Sequence, residues 1–143
     1  RFDIVQSNEK FVVIDDYAHH PTEIEATMKS VELYDNLTNF NNRIVLWQPH
    51  KYSRTSDNLE GFKKCFRRCD ELIILPLWTV AGEKKIDIDF EKEFASYNPI
   101  FADRVVSYKG KIELIKDDKI IKTYDEGIFL GVGAGDITYQ LRY

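Results

Sequence analysis

The segment DDYAHHPTEI, at residues 15–24, places two aspartates, a tyrosine and two adjacent histidines in one short stretch. Paired carboxylates at such a position accept hydrogen bonds from ribose hydroxyl groups in nucleotide-binding sheets, or they cap the helix that follows. His19 and His20 are chain neighbours, so they do not project easily onto one metal ion, and no third ligand stands at a useful spacing. We therefore predict no metal site, and an acid–base or hydrogen-bonding role fits the histidines better.

A second segment, QPHKYSRT at residues 48–55, brings His50, Lys51 and Arg54 together. The guanidinium of Arg54 offers a planar fork of donors that suits a carboxylate or a phosphate, and Lys51 offers a compact charge three residues away. Positive charge at the start of a helix opposes the helix dipole and does not stabilise the helix. A bound anion therefore explains these cations better than a solvated first turn does.

A third segment, GVGAGD at residues 131–136, is rich in glycine but lacks the dinucleotide-binding pattern. G-x-G-x-x-G requires a glycine at position 136, where Asp136 stands, and no G-x-x-x-x-G-K-[ST] loop occurs in the chain. We therefore expect that this chain does not hold a nucleoside triphosphate by itself. Gly135 and its neighbours are expected to permit a tight turn and a close approach of the backbone.

Apolar runs and helical periodicity alternate along the chain. The predicted strands are FVVIDD (11–16), RIVLWQP (43–49), ELIILPLW (71–78), RVVSY (104–108) and GIFLGV (127–132). The predicted helices are TEIEATMKSVELY (22–34) with Thr22 as N-cap, SDNLEGFKKCFRRC (56–69), DIDFEKEFASY (87–97) and ITYQLRY (137–143). Residues 111–124 have either helical or hairpin character, and their KDDK centre favours a hairpin.

Strands that alternate with helices predict an α/β fold with a mostly parallel sheet and flanking helices. In such sheets, ligands bind outside the carboxyl ends of the strands. The three segments described above, together with PLWTVAGE (76–83), each follow a predicted strand. We therefore expect these four segments to converge on one edge of the sheet, whereas the helix-to-strand returns carry no unusual polar chemistry.

Length and composition fit one globular domain of 143 residues. A net charge of −4 gives no electrostatic footprint for nucleic acid. The longest apolar run, LIILPLW at 72–78, is too short to span a bilayer, so we predict no membrane partner either. The chain opens on RFDIV without a methionine, which we interpret as a piece of a longer protein.

DDYAHHPTEI, QPHKYSRT, AGE and GAGDIT, in this order, resemble the C-terminal domain of the Mur ligases, and the resemblance covers essentially residues 1–143. It implies a Rossmann-like domain from a three-domain cytoplasmic enzyme of peptidoglycan synthesis. A UDP-sugar-binding domain and a central ATPase domain that carries the phosphate loop and Mg²⁺ are absent from this chain. The form of the motifs is closest to those members that join L-alanine to UDP-N-acetylmuramate and consume ATP.

The reaction implied by the resemblance passes through an acyl phosphate, which the amine of alanine attacks. In that scheme, the C-terminal domain closes over the central one, presents the amino acid and clamps the nucleotide. This role is positioning and water exclusion. The chain has a complete alternation of strands and helices but no phosphate loop, so the isolated domain is expected to fold alone and to be inactive.

The resemblance also implies roles for individual residues. Asp16 resembles the acid that holds the ATP ribose, with Tyr17 beside it, and is expected to matter for the nucleotide and not for the fold. His19 resembles a catalytic-site residue that lines the alanine and phosphate site. Lys51 and Arg54 resemble the pair that addresses the carboxylate of alanine, although the family usually has arginine where Lys51 stands.

Arg1 resembles an arginine near the nucleotide at the interdomain hinge. The resemblance implies no specific role for His20, His50, Glu83 or Asp136, and Asp136 is expected only to cap the last helix.

Two alternatives remain open. One is the recycling ligase of the same family, which attaches a tripeptide to the same sugar nucleotide and shares AHHPT, but lacks the H-x-Y-x-R-T form seen in HKYSRT. The other is a stand-alone module that binds a small anion or a partner at the same edge.

Overall fold

A six-stranded sheet forms the centre of the structure, a computed structural model that describes residues 2–143. Its strands are β1 (Asp3–Ser7), β2 (Phe11–Asp16), β3 (Arg43–Trp47), β4 (Glu71–Ile74), β5 (Ile100–Phe101) and β9 (Gly127–Val132). They lie in the order β1-β2-β9-β3-β4-β5, and only β1 runs antiparallel to its neighbour. The predicted α/β fold with a mostly parallel sheet is confirmed.

Helices cover one face of this sheet. They are α1 (Pro21–Thr38), α2 (Tyr52–Asp57), α3 (Leu59–Cys65) and α4 (Phe90–Glu93), with a 3₁₀ turn at Ala95–Tyr97. The last helix, α5 (Ile137–Gln140), lies on the opposite face, where Ile137 belongs to the second core. Aromatic side chains fix the helical layer, since the ring centroid of Trp47 lies 5.0 Å from those of both Phe62 and Phe66. Within residues 2–143, no helix combines the length and the apolar character that crossing a bilayer requires.

A smaller antiparallel sheet covers the other face. It contains β6 (Arg104–Tyr108), β7 (Lys111–Lys116) and β8 (Lys119–Tyr124). The hairpin predicted at 111–124 is confirmed, and Asp117 and Asp118 turn it with φ of 51° and 59°, as a tight hairpin turn requires. The sequence did not predict that this hairpin joins β6 in a separate sheet.

Burial on both faces explains why the central strands read as continuous apolar runs. In β2, Val12 and Ile14 belong to the core beneath the helices, whereas Phe11 and Val13 belong to the core beneath the small sheet. The other inner strands alternate in the same way. Each inner strand is therefore held rigidly, and its carboxyl end is a firm support for a polar side chain.

Several elements differ from the sequence prediction. The strand predicted at 71–78 ends at Ile74, and the helix predicted at 87–97 is reduced to α4 and the 3₁₀ turn. β1 and β5 were not predicted, because β1 is half exposed and polar and β5 has only two residues. The helix predicted at 56–69 begins earlier and is interrupted at Asn58, whose side-chain amide donates to the carbonyl of Arg54 at 2.9 Å. A side chain that competes for a helical carbonyl in this way breaks the regular pattern.

Candidate functional site

The four segments that follow β2, β3, β4 and β9 meet at one edge of the sheet. The ring centroids of His19 and His50 lie 6.2 Å apart, which joins the exits of β2 and β3. The backbone N–H of Lys51 donates to the carbonyl of Trp78 at 2.9 Å, and the N–H of Gly133 donates to the carbonyl of Asp16 at 3.4 Å. The convergence predicted from the sequence is confirmed.

Asp16 ends β2 in a buried position, with an exposed fraction of 5%. Its Oδ1 accepts the N–H of Ala18 at 2.9 Å, and its Oδ2 accepts the hydroxyl of Thr27 at 3.0 Å. The carboxylate also borders a cavity of about 330 Å³ that Tyr17 lines. Asp16 therefore ties the turn to α1, so the expectation that it has no part in the fold is wrong.

Helix α1 begins with a reciprocal capping arrangement. His20 is the N-cap, and its Nδ1 accepts the N–H of Thr22 at 3.4 Å, while Glu23 accepts the N–H of His20 at 3.1 Å. The backbone N–H of His19 also donates to Glu23, and this bond lowers the pKa of that carboxyl below its ordinary value. The prediction of Thr22 as N-cap is wrong because Pro21 occupies the first helical position.

The imidazole of His19 is fixed by the turn that precedes α1. Its Nδ1 lies 3.0 Å from the carbonyl oxygen of Tyr17, and the Tyr17 ring meets the imidazole edge-on at 5.5 Å. Because a carbonyl only accepts, Nδ1 carries the proton in the neutral ring. Nε2 of His19 consequently holds a lone pair and can accept a proton or a hydrogen bond.

His50 has the opposite arrangement. Its Nδ1 lies 2.8 Å from Nη1 of Arg54. A guanidinium only donates, so Nδ1 of His50 is unprotonated and the neutral ring carries its proton on Nε2. Burial lowers the pKa of His50 below its ordinary value, and the positive charge of Arg54 lowers it further.

Lys51 occupies a backbone conformation that residues other than glycine seldom adopt, with φ of 69° and ψ of 133°. Such conformations cost roughly 1–3 kcal/mol and persist only where the surroundings impose them. Here the N–H of Lys51 is held by the carbonyl of Trp78, and the carbonyl of Lys51 accepts the Thr55 hydroxyl at 2.8 Å. Glu83 accepts the N–H of Tyr52 and completes the start of α2.

Neither Lys51 nor Arg54 is paired with a carboxylate of residues 2–143, although most of the arginines described are. Glu83, which the chain brings to this edge, is engaged by a backbone N–H instead. Both cations are half-buried. The edge therefore carries two cations that form no direct ion pair within the described part of the chain. In the same part, no three His, Cys, Asp or Glu side chains are arranged to hold a metal ion.

The glycine-rich turn after β9 closes this edge. A Cβ atom at Gly135 would stand 2.6 Å from Cγ of Trp78, so only glycine allows the indole to lie here, as the sequence predicted. Gln48 accepts the N–H of Ile137 at 3.2 Å and donates to Asp136 at 2.7 Å. Asp136 is the N-cap residue of α5, as predicted, but its side chain makes no capping bond, and Gln48 accepts the first backbone N–H of the helix instead.

The family model described as Mur ligase, glutamate ligase domain, matches residues 1–123. The chain belongs to the Mur ligase family. It is 56% identical over 144 residues to the UDP-N-acetylmuramate–L-alanine ligase of Helicobacter pylori, and 49% identical over 142 residues to that of Campylobacter curvus. Each comparison covers 99% of this chain but only 32% of the relative.

A solved Mur ligase structure shares the fold. The UDP-N-acetylmuramate–alanine ligase from Thermotoga maritima superposes with a TM-score of 0.56 at 24% identity, covering 98% of this chain and 27% of that one. The resemblance seen in the sequence motifs is therefore confirmed at the level of the family and its C-terminal domain.

Within this Mur ligase domain, three residues organise the edge in ways that we did not predict from the sequence: Gln48, His50 and Glu83. The spacing of His50 and Arg54, four residues apart across a helix start, was the signal available for one of them. Gln48 and Glu83 act across distant parts of the chain, which no local pattern reveals. Arg1, for which a role beside the nucleotide was predicted, lies outside the described residues.

Proposed function

We propose that this chain is the C-terminal domain of an ATP-dependent ligase that joins L-alanine to UDP-N-acetylmuramate, and that Lys51 and Arg54 bind the carboxylate of alanine. The named relatives, 56% and 49% identical, support this reaction. The observation that carries the residue assignment is the bond from Arg54 to the neutral His50, at 2.8 Å, in place of a bond to an acid.

The chemistry of this pair suits a small carboxylate. The charge of an arginine beside an acid is compensated by the carboxylate. The charge of an arginine beside a neutral imidazole is not compensated, and its remaining N–H donors stay available to a ligand. Lys51 adds a second positive charge three residues earlier in the chain, in a backbone conformation that the edge imposes. The two cations therefore offer a charged site for an amino acid carboxylate.

His19 is proposed to act on the amine of the same alanine. Its Nδ1–H is held by the carbonyl of Tyr17, so the lone pair on Nε2 is available to take a proton from the attacking amine. The closeness of this ring to His50 supports a position beside the proposed carboxylate site.

Asp16 and Tyr17, with Arg1, are proposed to contact ATP. The fit rests on the cavity of about 330 Å³ bordered by Asp16 and by Tyr17, a residue that is 59% exposed. ATP supplies the phosphoryl group that activates the sugar carboxylate. In the full-length protein, this nucleotide and Mg²⁺ are proposed to be held mainly by the central domain.

The proposed partners of this domain are therefore alanine, ATP, UDP-N-acetylmuramate and the two preceding domains of the same protein. The sequence contains no phosphate loop, so residues 1–143 alone are proposed to be inactive. A reaction that consumes ATP and a UDP-sugar is assigned to the cytoplasm.

Alanine is favoured over the tripeptide of the recycling ligase. HKYSRT has the H-x-Y-x-R-T form expected of the alanine enzyme, and the high-identity relatives described above carry that activity in their names. A stand-alone anion-binding module is disfavoured because the chain corresponds to 32% of those relatives and not to a separate protein among them.

Steady-state kinetics of the full-length ligase test the assignment of the cationic pair. With ATP saturating and alanine varied, Arg54→Lys should lower kcat/KM for alanine roughly 10–100-fold, because one prong of a charged hydrogen-bonding pair is lost. Lys51→Arg, which restores the residue usual in the family, should do less damage. The KM for ATP should hardly change in either variant.

An effect on ATP or on the sugar nucleotide in place of alanine would assign the cationic pair to a different ligand. If Arg54→Lys left alanine unaffected and weakened ATP or UDP-N-acetylmuramate instead, the two cations would address a phosphate and not the amino acid.

A further inference from the structure

We propose that His50 is a positioning residue for the ligase reaction: its unprotonated Nδ1 holds the guanidinium of Arg54 in the orientation that receives the alanine carboxylate. This inference rests on the proposed function of Arg54. It makes the use of alanine depend on the protonation state of a residue to which the sequence assigned no role.

Geometry is the first support. Nδ1 of His50 lies 2.8 Å from Nη1 of Arg54, a short distance for a bond to a charged donor. The backbone of His50 is itself fixed, since it pairs with Trp78 as an isolated parallel bridge and follows the buried Pro49. An imidazole on so firm a support restricts a side chain that otherwise has many rotamers.

The charge of the acceptor is the second support. A carboxylate in the position of His50 would orient Arg54 equally well but would neutralise it, and the site would lose much of its attraction for a substrate anion. A neutral imidazole orients the guanidinium and leaves its charge in place. Among the bonds that the structure gives to the arginines of residues 2–143, this is the one made to a neutral ring.

The surroundings of His50 oppose its protonation. Arg54 and Lys51 face it from its own segment, His19 faces it from the turn after β2, and Glu83 faces it from the loop after β4. Three of these groups are basic, and only Glu83 favours the imidazolium. A protonated Nδ1 would point a donor at the donor of Arg54, so this bond would break as the pH falls through the pKa of His50.

Three substitutions in the full-length ligase distinguish the hydrogen-bond acceptor at Nδ1 of His50 from the rest of the imidazole ring. His50→Ala removes the acceptor and should lower kcat/KM for alanine roughly tenfold or more, mainly through KM. The side-chain oxygen of His50→Asn stands close to the position of Nδ1, so this variant should recover most of the loss. His50→Gln places its oxygen nearer to the position of Nε2 and should recover less. The KM for ATP should stay constant throughout.

The pH profile supplies a readout that a merely structural role would not change. Deprotonation of the alanine amine affects every variant alike, so the informative quantity is the ratio of kcat/KM for alanine between the wild type and His50→Asn. That ratio should be constant above the ordinary histidine pKa of 6.5 and should fall at lower pH, because asparagine does not titrate. A ratio independent of pH would remove His50 from this role.

Nitrogen chemical shifts test the same idea without activity. In ligase labelled with ¹⁵N-histidine, the His50 resonance, assigned by its loss in His50→Asn, should show a neutral ring protonated on Nε2 at pH 7.5. A proton on Nδ1 would overturn the proposal. If Arg54→Lys did not impair alanine, the proposed function itself would fail; if Arg54→Lys did and His50→Ala did not, only the positioning role would fail.

Discussion

Two arginines bracket β3, and they differ in their partners. At the start of the strand, Nε of Arg43 donates to Asp35 at 2.8 Å, and its Nη1 donates to Glu32 at 3.4 Å and to the carbonyl of Arg68 at 3.2 Å. Beyond the end of the strand, Nη1 of Arg54 donates to the neutral ring of His50. Two carboxylates compensate the charge of Arg43, whereas the neutral ring of His50 does not compensate the charge of Arg54.

This difference offers a way to distinguish a polar cluster that serves the fold from one that is proposed to bind a ligand. The return from α1 to β3 was predicted to carry no unusual chemistry, yet it holds two asparagines with positive φ, Asn39 and Asn41, and follows the buried Asp35 in the last turn of α1. Asp35 accepts both Arg43 and the N–H of Asn41 at 2.9 Å, so its charge is used within the fold. To recognise a candidate ligand site, the charge of the partner that holds each arginine is therefore a better criterion than the polarity of the segment.

Substitution of Arg43, at the start of β3, is expected to have the largest effect, and this effect is on the stability of the fold. Arg43→Met leaves Asp35, whose side chain is 6% exposed, without its buried counter-ion. The free energy of unfolding of the 143-residue chain should fall by about 3 kcal/mol, measured by urea denaturation. In the full-length ligase, kcat/KM for alanine at a temperature where the variant is folded should be unchanged. A loss of alanine use without a loss of stability would erase the distinction between the two arginines.

Asp16 holds the turn to α1 and is also proposed to contact the nucleotide, so its variants separate the two roles. Asp16→Asn keeps an oxygen for the N–H of Ala18 but removes the charge, so the KM for ATP should rise roughly tenfold while the KM for alanine changes less. Thr27→Val is the matched control, because it removes the hydroxyl bonded to Asp16 and leaves the carboxylate. If Thr27→Val raised the KM for ATP as much as Asp16→Asn, the carboxylate would act only by holding α1.

Glu83 gives the smallest expected effect. Glu83→Ala removes the acceptor for the N–H of Tyr52 and should lower the free energy of unfolding by about 1 kcal/mol, as the loss of a helix cap does. The same change releases the turn that imposes the conformation of Lys51, so the KM for alanine should also rise. Glu83→Gln retains the oxygen and should show neither effect; an equal loss in Glu83→Gln would mean that the charge of Glu83 matters more than its hydrogen bond.

Much of this molecule follows from local patterns. The buried strands were predictable because they are covered on both faces, and the hairpin at 111–124 because two aspartates suit its turn. The meeting of four strand exits followed from the parallel arrangement alone. Those predictions needed only residue types and their spacing.

What the sequence did not reveal depends on contacts between distant segments. β5 pairs through only two residues, and the small sheet required knowing that β6 lies beside β7. Gln48 caps a helix 89 positions away, and Glu83 caps one that precedes it by 31. The local pattern left Asp16 open between a ribose contact and a helix cap, because its bond to Thr27 forms only after α1 has packed.

We propose that the charge of Arg54 binds the carboxylate of alanine. The most direct test is a cycle of measurements in which Arg54 and the substrate carboxylate are changed separately and together. Full-length wild type and Arg54→Lys are each assayed with L-alanine and with L-alaninamide, which lacks the charge, and Arg43→Lys serves as the control. The preference of the wild type for alanine over alaninamide should shrink roughly 10–100-fold in Arg54→Lys and stay unchanged in Arg43→Lys. An equal preference in wild type and Arg54→Lys would contradict the account, because Arg54 would then not recognise the carboxylate.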